Sequence, residues 1–351
     1  MSGPLVLITG ITGFVAVHVL DAVLASPQNY RVRGTLRSLS KSDEVLERLS
    51  PRDRARVEFV HVADTATSDL RLAVRGVDLV LHVASPFQVQ INDPETDLLI
   101  PALEGTLNLL RFAKEEGKIK KIVITSSFAA VSDPIAGDIK RPGYVYTDKD
   151  WNPTTYEEAK TATGPGASVL AYYASKKVAE KAAYDFVARE KPAFEVASIN
   201  PPMIYGPTLQ PRVTRKSLNL SSAIMYGLIS GLDEMPSDDL PLFCDVRDVA
   251  LAHVRAVEKD GAMGERYLLC GGKFSWAQAA ELLAEKRPEL RALLPKGWQQ
   301  APSIDLDGSF ASMDTSRARE KLGIAFRGWQ TTLLDSVDSL LELEKLPSWN
   351  K

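Results

Sequence analysis

The chain has 351 residues, of which 25% are charged and 45% hydrophobic, and carries a net charge of −3. That is the balance of a soluble globular protein, long enough for one large unit or for two domains sharing a core. No basic field argues for nucleic acid or an anionic membrane surface, and no apolar run approaches the ~18 residues of a membrane span.

Cys244 and Cys270 are the only cysteines. They are too few for a secreted disulfide scaffold and read as packed thiols of a cytoplasmic protein. His18, His61, His82 and His253 lack ligand spacing, so no metal is expected. The N-terminus passes from Met-Ser-Gly-Pro directly into a strand-like run, without a signal-peptide pattern.

That run, Leu5-Val6-Leu7-Ile8, is followed by Thr9-Gly10-Ile11-Thr12-Gly13-Phe14-Val15-Ala16 and then by a helix with apolar Val15, Val19, Val23 and Leu24. A strand, a glycine turn and a helix form the unit that binds a pyrophosphate. Glycines admit close backbone approach, the helix N-terminus attracts negative charge, and a small third residue lets helix pack on strand. Gly10, Thr12, Gly13, Phe14 and Val15 are therefore candidate cofactor contacts.

The second strand, Tyr30 to Arg37, decides which dinucleotide. An acidic residue at its end would accept from a ribose hydroxyl, whereas a basic one would bind a 2′-phosphate. Arg37 stands there with Lys41 just beyond, and no carboxylate appears before Asp43. A guanidinium fork and an ammonium predict NADPH.

Alternation continues with strand Val57–Val62 and then Asp64, suited to an adenine amino group or to a helix cap. Strand Val77–Val83 leads into Ala84-Ser85-Pro86-Phe87, at the carboxyl end of a strand, where doubly wound sheets bind ligands. A helix of about 96–116 and strand Lys121–Thr125 follow. The strand ends in Ser126-Ser127-Phe128, where a hydroxyl could meet both a carbonyl substrate and a tyrosine. Residues 132–169, polar and rich in Gly, Pro, Asp and Thr, read as an inserted rim.

Residues from about 170 to 190 predict a long Ala-rich helix, a rigid mount for a site. It opens Leu170-Ala171-Tyr172-Tyr173-Ala174-Ser175-Lys176-Lys177. A Lys four residues after a Tyr shares its helix face, and its charge favours the tyrosinate. Such a pair suits a general acid for a carbonyl becoming an alcohol. The spacing itself is cheap, since it also occurs at Tyr156/Lys160. There Glu157 and Glu158 oppose it, and the segment reads as a short surface helix. Between Tyr172 with Lys176 and Tyr173 with Lys177, spacing does not choose.

Strand Phe194–Ile199 ends in Asn200-Pro201-Pro202-Met203-Ile204-Tyr205-Gly206-Pro207, a stiff turn able to wall one side of a nicotinamide. Beyond it the alternation fades. Cys244-Asp245-Val246-Arg247-Asp248 opens another helix, and helical stretches lie near 275–287, 314–322 and 330–345. The expected fold is α/β: a doubly wound parallel Rossmann sheet over 1–200, carrying the 132–169 insertion. A smaller, mostly helical, substrate-binding part spans 201–351, with segments near 244–270 returning to the main domain.

The ordered set Thr9-Gly10-x-x-Gly13-x-x-Ala16, Arg37 with Lys41, His82 to Phe87, Thr125-Ser126-Ser127, Tyr172-x-x-Ser175-Lys176-Lys177, Asn200-Pro201-Pro202 and Asp245-Val246-Arg247-Asp248 resembles the extended short-chain dehydrogenase/reductase superfamily across nearly the whole chain. Leu322-Gly323 and Phe326-x-x-Trp329 are similar to its dihydroflavonol-4-reductase-like branch, which includes fungal carbonyl and methylglyoxal reductases. The family places Ser directly before the catalytic Lys, which implies Tyr172, Lys176 and, from the serine pair, Ser127.

The resemblance also implies Pro202 and Ser221 beside the cofactor; Ala84, Ser85, Tyr172 and Lys176 are expected there too, and Phe87, Phe128, Tyr205 and Met225 are expected to line an apolar pocket. Ser127 and Tyr172 would bond the carbonyl oxygen, with Lys176 holding ribose hydroxyls and keeping the phenol's pKa low. The expected partner is a small carbonyl compound, and the expected assembly a monomer or homodimer. The chain lacks the Asn-Trp-Tyr-Cys-Tyr stretch of cinnamoyl-CoA reductases. Two rivals stay open. A sugar-nucleotide epimerase or dehydratase would share the fold, although Phe128-Ala129 stands where dehydratases carry Asp-Glu. A non-catalytic NADP-sensing regulator would not need the Tyr–Lys pair.

Overall fold

The computed structural model describes residues 3–85, 91–164 and 166–349. In chain order its strands are β1 Leu5–Ile8, β2 Arg31–Leu36, β3 Val57–His61, β4 Leu79–His82, β5 Lys121–Thr125, β6 Val145–Tyr146, β7 Glu195–Asn200, β8 Met203–Tyr205, β9 Leu242–Asp245, β10 Arg266–Leu268, β11 Gly272–Lys273 and β12 Ser312–Met313. The principal helices are α1 Phe14–Ala25, α2 Ile100–Glu116, α3 Tyr156–Thr161, α4 Ala167–Glu190, α5 Leu220–Gly227, α6 Val246–Glu258, α7 Trp276–Lys286, α8 Ser316–Leu322 and α9 Trp329–Glu344.

The main sheet runs β3-β2-β1-β4-β5-β7-β10, and each neighbouring pair is parallel. Its strands alternate between two buried faces, as a parallel sheet covered on both sides requires. Leu5 and Leu7 join Val80, Ile122 and Val196 under Leu109 and Leu110 of α2 and Ala183 and Phe186 of α4. Val6 and Ile8 join Leu81, Val123 and Ala197 under Val19 and Val23 of α1 and Val249 of α6. Each such side chain taken from water contributes ~1.5–3 kcal/mol, so the central strands anchor both layers. Strand order reverses between β1 and β4, the crevice where sheets of this kind hold ligands.

A second core gathers residues from β8 onward. Tyr205, Met225, Phe243, Phe274, Trp276, Leu333 and Trp349 pack together there, around a small sheet of β8, β9 and β11. The Asp245-Val-Arg-Asp248 run joins this part to the main sheet. Asp245 caps α6 by accepting from Arg247 N at 2.8 Å. The Arg247 guanidinium bridges Asp245 and Asp335 of α9 at 2.7 and 2.6 Å, and Asp248 pairs with Arg327.

Two expectations change. The helix read from 96 begins with a wide π turn at Glu95–Leu99 before the regular α2, because Pro101 removes a helix donor at this join. The 132–169 insertion carries more core than its composition suggests: Ile139 and Tyr146 are buried with Phe128, Leu268 and Phe310. Ile135, Val145 and Val169 stay exposed, while β6 pairs with the distant β12. Among the described residues no helix is long and apolar enough to cross a membrane, and both cysteines are buried and free.

Gly34, in the middle of β2, shows how tightly the first turn sits on the sheet. A Cβ there would come within 2.9 Å of Ile11 Cγ2, and Ile11 is fully buried. Gly34→Val should cost ~1–3 kcal/mol through overpacking. A lowered urea midpoint at unchanged m-value is the expected result, and an unchanged midpoint would contradict this packing.

Candidate active site

The glycine turn is held open by hydrogen bonds that leave its own helix start unused. Thr9 Oγ1 accepts from Val83 N and Ala84 N at 3.0 and 2.9 Å, stitching the ends of β1 and β4 together at the switch point. Gly10 has φ 65° and donates to Thr35 Oγ1 at 2.8 Å. A Cβ on it would lie 3.1 Å from that of Ala84, so glycine is demanded by both conformation and space. Gly13 precedes α1 with no side-chain cap and no acidic residue in the first turn. The N–H groups of Phe14, Val15 and Ala16 thus begin α1 with no carboxylate among them, the arrangement that receives a phosphate. Thr12 and Val15 are partly exposed and Phe14 is buried.

Arg37 and Lys41 are exposed just past β2. Among the described residues neither side chain is in an ion pair or hydrogen bond, although Arg37 O lies 3.2 Å from His61 Nε2. Asp64 is exposed and accepts from Ala66 N at 2.7 Å, closing a turn after β3.

α4 carries the central group. Its long run of Ala, Lys and Glu favours helix, and Ala171, Ala174 and Ala183 let it lie close to the sheet. Tyr172, Lys176 and Glu180 are spaced by four and face inward together. Tyr172 is hydrogen-bonded with the side chain of Ser127 at the end of β5. The Lys176 ammonium stands 5.5 Å from the centre of the Tyr172 ring and donates to Ser85 Oγ at 2.6 Å. The structure therefore brings Ser127, Tyr172, Lys176 and Ser85 into one cluster at the carboxyl ends of β4 and β5.

Burial dominates the electrostatics of this cluster. Burial pushes the Tyr172 phenol up, against the opposing hydrogen bond from Ser127. Burial also lowers Lys176 to about 8. Each group is driven toward its neutral form because the cluster is screened from water. A phenol that keeps its proton at neutral pH is in the form required of a proton donor.

Geometry separates the two tyrosines that spacing left equal. Tyr173 turns away from Ser127 and donates to Asp138 Oδ2 at 2.6 Å. Burial and the Asp138 carboxylate both push its pKa up. Lys177 donates to Thr154 O at 2.5 Å. The third pair is spent on one carboxylate: Tyr156 donates to Glu95 at 3.0 Å and Lys160 bridges the same group at 3.0 Å.

Other predicted positions fall elsewhere. Pro202 is partly exposed at the turn from β7 to β8. Ser221, in the first turn of α5, accepts from Asn219 Nδ2 at 2.8 Å. Phe87 lies outside the described residues. Phe128, Tyr205 and Met225, expected to line a pocket, are core residues instead. Phe128 packs edge-on against Tyr146 at 5.1 Å. Tyr205 meets Phe274 and Trp276 at 5.7 and 5.9 Å, and Met225 is 1% exposed in the same second core. Apolar side chains beside a site have two ways to be buried, and here packing between elements takes these three.

Sequence reasoning missed Thr9, whose hydroxyl clamps the switch point, and Glu180, whose carboxylate is buried behind Ser127. The spacing Tyr172, Lys176, Glu180 was a signal for the second, since a charge on the apolar face of a helix needs partners.

The profile of the NAD dependent epimerase/dehydratase family matches residues 6–270. An uncharacterized oxidoreductase of Schizosaccharomyces pombe is 40% identical, over 97% of this chain and 98% of its own. An NADPH-dependent methylglyoxal reductase of Saccharomyces cerevisiae is 31% identical, over 97% of this chain and 98% of its own. The crystal structure of Gre2 from Candida albicans in complex with NADPH superposes with a TM-score of 0.83 at 32% identity, covering 97% of this chain and 99% of that one.

Tyr173→Phe would leave the Asp138 carboxylate without its phenol donor. The expected cost is about 1–3 kcal/mol of stability, read from the urea midpoint. An unaltered midpoint would remove Tyr173 from any part in holding the rim.

Proposed function

The chain belongs to the NAD dependent epimerase/dehydratase family, the extended short-chain dehydrogenases/reductases, and from that membership we propose that it reduces a ketone or aldehyde to an alcohol with NADPH. The single observation that carries this reading is the Ser127–Tyr172 hydrogen bond with the Lys176 ammonium set against the same phenol ring. Relatives named for NADPH-dependent reduction of methylglyoxal support the substrate class, so aldehydes, diketones and ketoesters are the compounds to try. The reading includes a cytosolic enzyme, monomeric or homodimeric, with a small carbonyl compound as its partner. It also includes a division of labour: residues 1–200, with β10, hold the dinucleotide, and the second core of 201–351 shapes the substrate side.

The residues present suit that cofactor. The Gly10 cradle, which a Cβ would fill, and the carboxylate-free start of α1 accept a pyrophosphate. Arg37 and Lys41 would hold a 2′-phosphate, Ser85 and Lys176 the nicotinamide ribose, and Pro202 with Ser221 the side of the ring. When bound, NADPH supplies the hydride. Ser127 and Tyr172 both donate to the carbonyl oxygen, polarising it and stabilising the negative charge that develops there. Tyr172 then releases its proton to that oxygen. Lys176, positive beside the ring, favours the phenolate left behind. The burial of the cluster strengthens each of these interactions.

Tyr172→Phe should lower kcat by ~10²–10⁴-fold, measured as NADPH oxidation with a panel of aldehydes, diketones and ketoesters. Unchanged turnover would end the assignment. Arg37→Ala should raise the KM for NADPH by at least about tenfold, the loss of one charge-assisted fork, while leaving that for NADH nearly unchanged. Equal losses for both dinucleotides would contradict the phosphate role.

A further inference from the structure

Behind Ser127 lies a polar cluster that the reaction itself does not touch. Glu180 is 1% exposed, and its two oxygens receive four donors. Ser126 Oγ donates to Oε2 at 2.5 Å and Asn200 Nδ2 to the same oxygen at 2.7 Å. Ser198 Oγ and Arg266 Nε donate to Oε1 at 2.7 and 2.6 Å. Asn200 Nδ2 also reaches Ser127 O at 3.2 Å. The partners come from the residue after β5, from β7 and from the first residue of β10, while Glu180 itself stands one turn beyond Lys176 on α4.

Arg266 extends the connection outward. It is 7% exposed, donates to Asp148 O and Asp150 O at 2.7 and 2.6 Å, and stacks at 3.6 Å over Trp151. One carboxylate thus ties the helix bearing Tyr172 and Lys176 to the residue before Ser127, to the carbonyl of Ser127, and to the rim.

We propose that Glu180 is a positioning residue for carbonyl reduction: it fixes Ser127 against Tyr172, acting through Ser126 and Asn200, and Arg266 holds its charge in place. The inference rests on the Ser127–Tyr172 reading above. A carboxylate is demanded by the partners. Arg266 Nε can only donate, and the Asn200 Nδ2 amide does likewise, so each oxygen faces one group with nothing to accept with. An amide at 180 would turn an NH₂ toward one of them, and a shorter acid could not span both strand ends. Buried charge of this kind is retained at a cost in desolvation, which a purely structural contact between small helix and sheet residues would avoid.

The test is a double-mutant cycle on kcat with NADPH and a responsive carbonyl compound. Glu180→Gln should lower kcat about 10–100-fold while changing the Kd for NADPH, from its fluorescence, less than threefold, since the phosphate-binding groups are remote. Ser127→Ala should lower kcat on its own. In that background Glu180→Gln should cost less than about threefold more, because the positioned hydroxyl is already gone. Multiplicative losses, with Ser127→Ala itself impaired, would overturn the positioning role and leave the reductase reading standing. A fully active Ser127→Ala would instead overturn that reading. Should Glu180→Gln fail to fold, Ser126→Ala removes one bond to the carboxylate and is read in the same cycle, with the same two outcomes.

Discussion

The site depends on the rotational and axial setting of one helix against the ends of two strands. α4 presents Tyr172 toward Ser127 and Tyr173 toward Asp138. A rotation by one residue, about 100°, would exchange them. Small residues allow the close approach but do not choose the angle, since Ala171, Ala174 and Ala183 slide past a sheet easily. The angle is held by directed contacts, Tyr173 on Asp138, Lys177 on Thr154 O and, in the interior, Glu180. A carboxylate with four donors is stable in the interior only in the arrangement that satisfies them, and an unpaired buried charge costs several kcal/mol. Any slip of α4 would incur that cost.

Burial has a second effect at the same place. Phenol and amine are both moved toward neutrality, Tyr172 upward and Lys176 down to about 8. For the proton donor proposed above, the first shift is useful and the second limits how strongly a phenolate would be supported. Ser127 works against the burial of Tyr172 by hydrogen bonding to it. The net shift of the phenol is set by burial, which the Tyr–Lys spacing does not report.

Much of the framework was legible because it repeats a local pattern. The run Leu5–Ile8, the glycines at 10 and 13, and the helix behind them are contiguous in the chain, and the strands at 31–36, 57–61, 79–82 and 121–125 follow the same alternation. What stayed hidden depends on residues distant in sequence. Glu180 acquires meaning through Ser126 and through Arg266, 54 and 86 positions away, and Tyr173 through Asp138 on a rim whose composition reads as loop. Tyr205 and Met225, expected as pocket walls, are buried in the second core. Their neighbours in space are Phe274, Trp276 and Leu228, which local reasoning does not connect.

The rim is not anchored evenly, and this bears on how the site could accept different carbonyl compounds. At the 148–152 end its backbone is gripped by Arg266 from the sheet edge, and Asn152 donates to Ala129 O at 3.0 Å, beside the turn that follows Ser127. Toward 135–137 the same segment is exposed, Ile135 to 70%, and is tied back chiefly by Asp133, Asp138 and the Tyr146 hydroxyl. Rigid support is therefore concentrated where it fixes the polar end of the site, beside Ser127 and Tyr172. The outer portion can change in sequence without disturbing that support, as expected of a surface segment on a rigid scaffold.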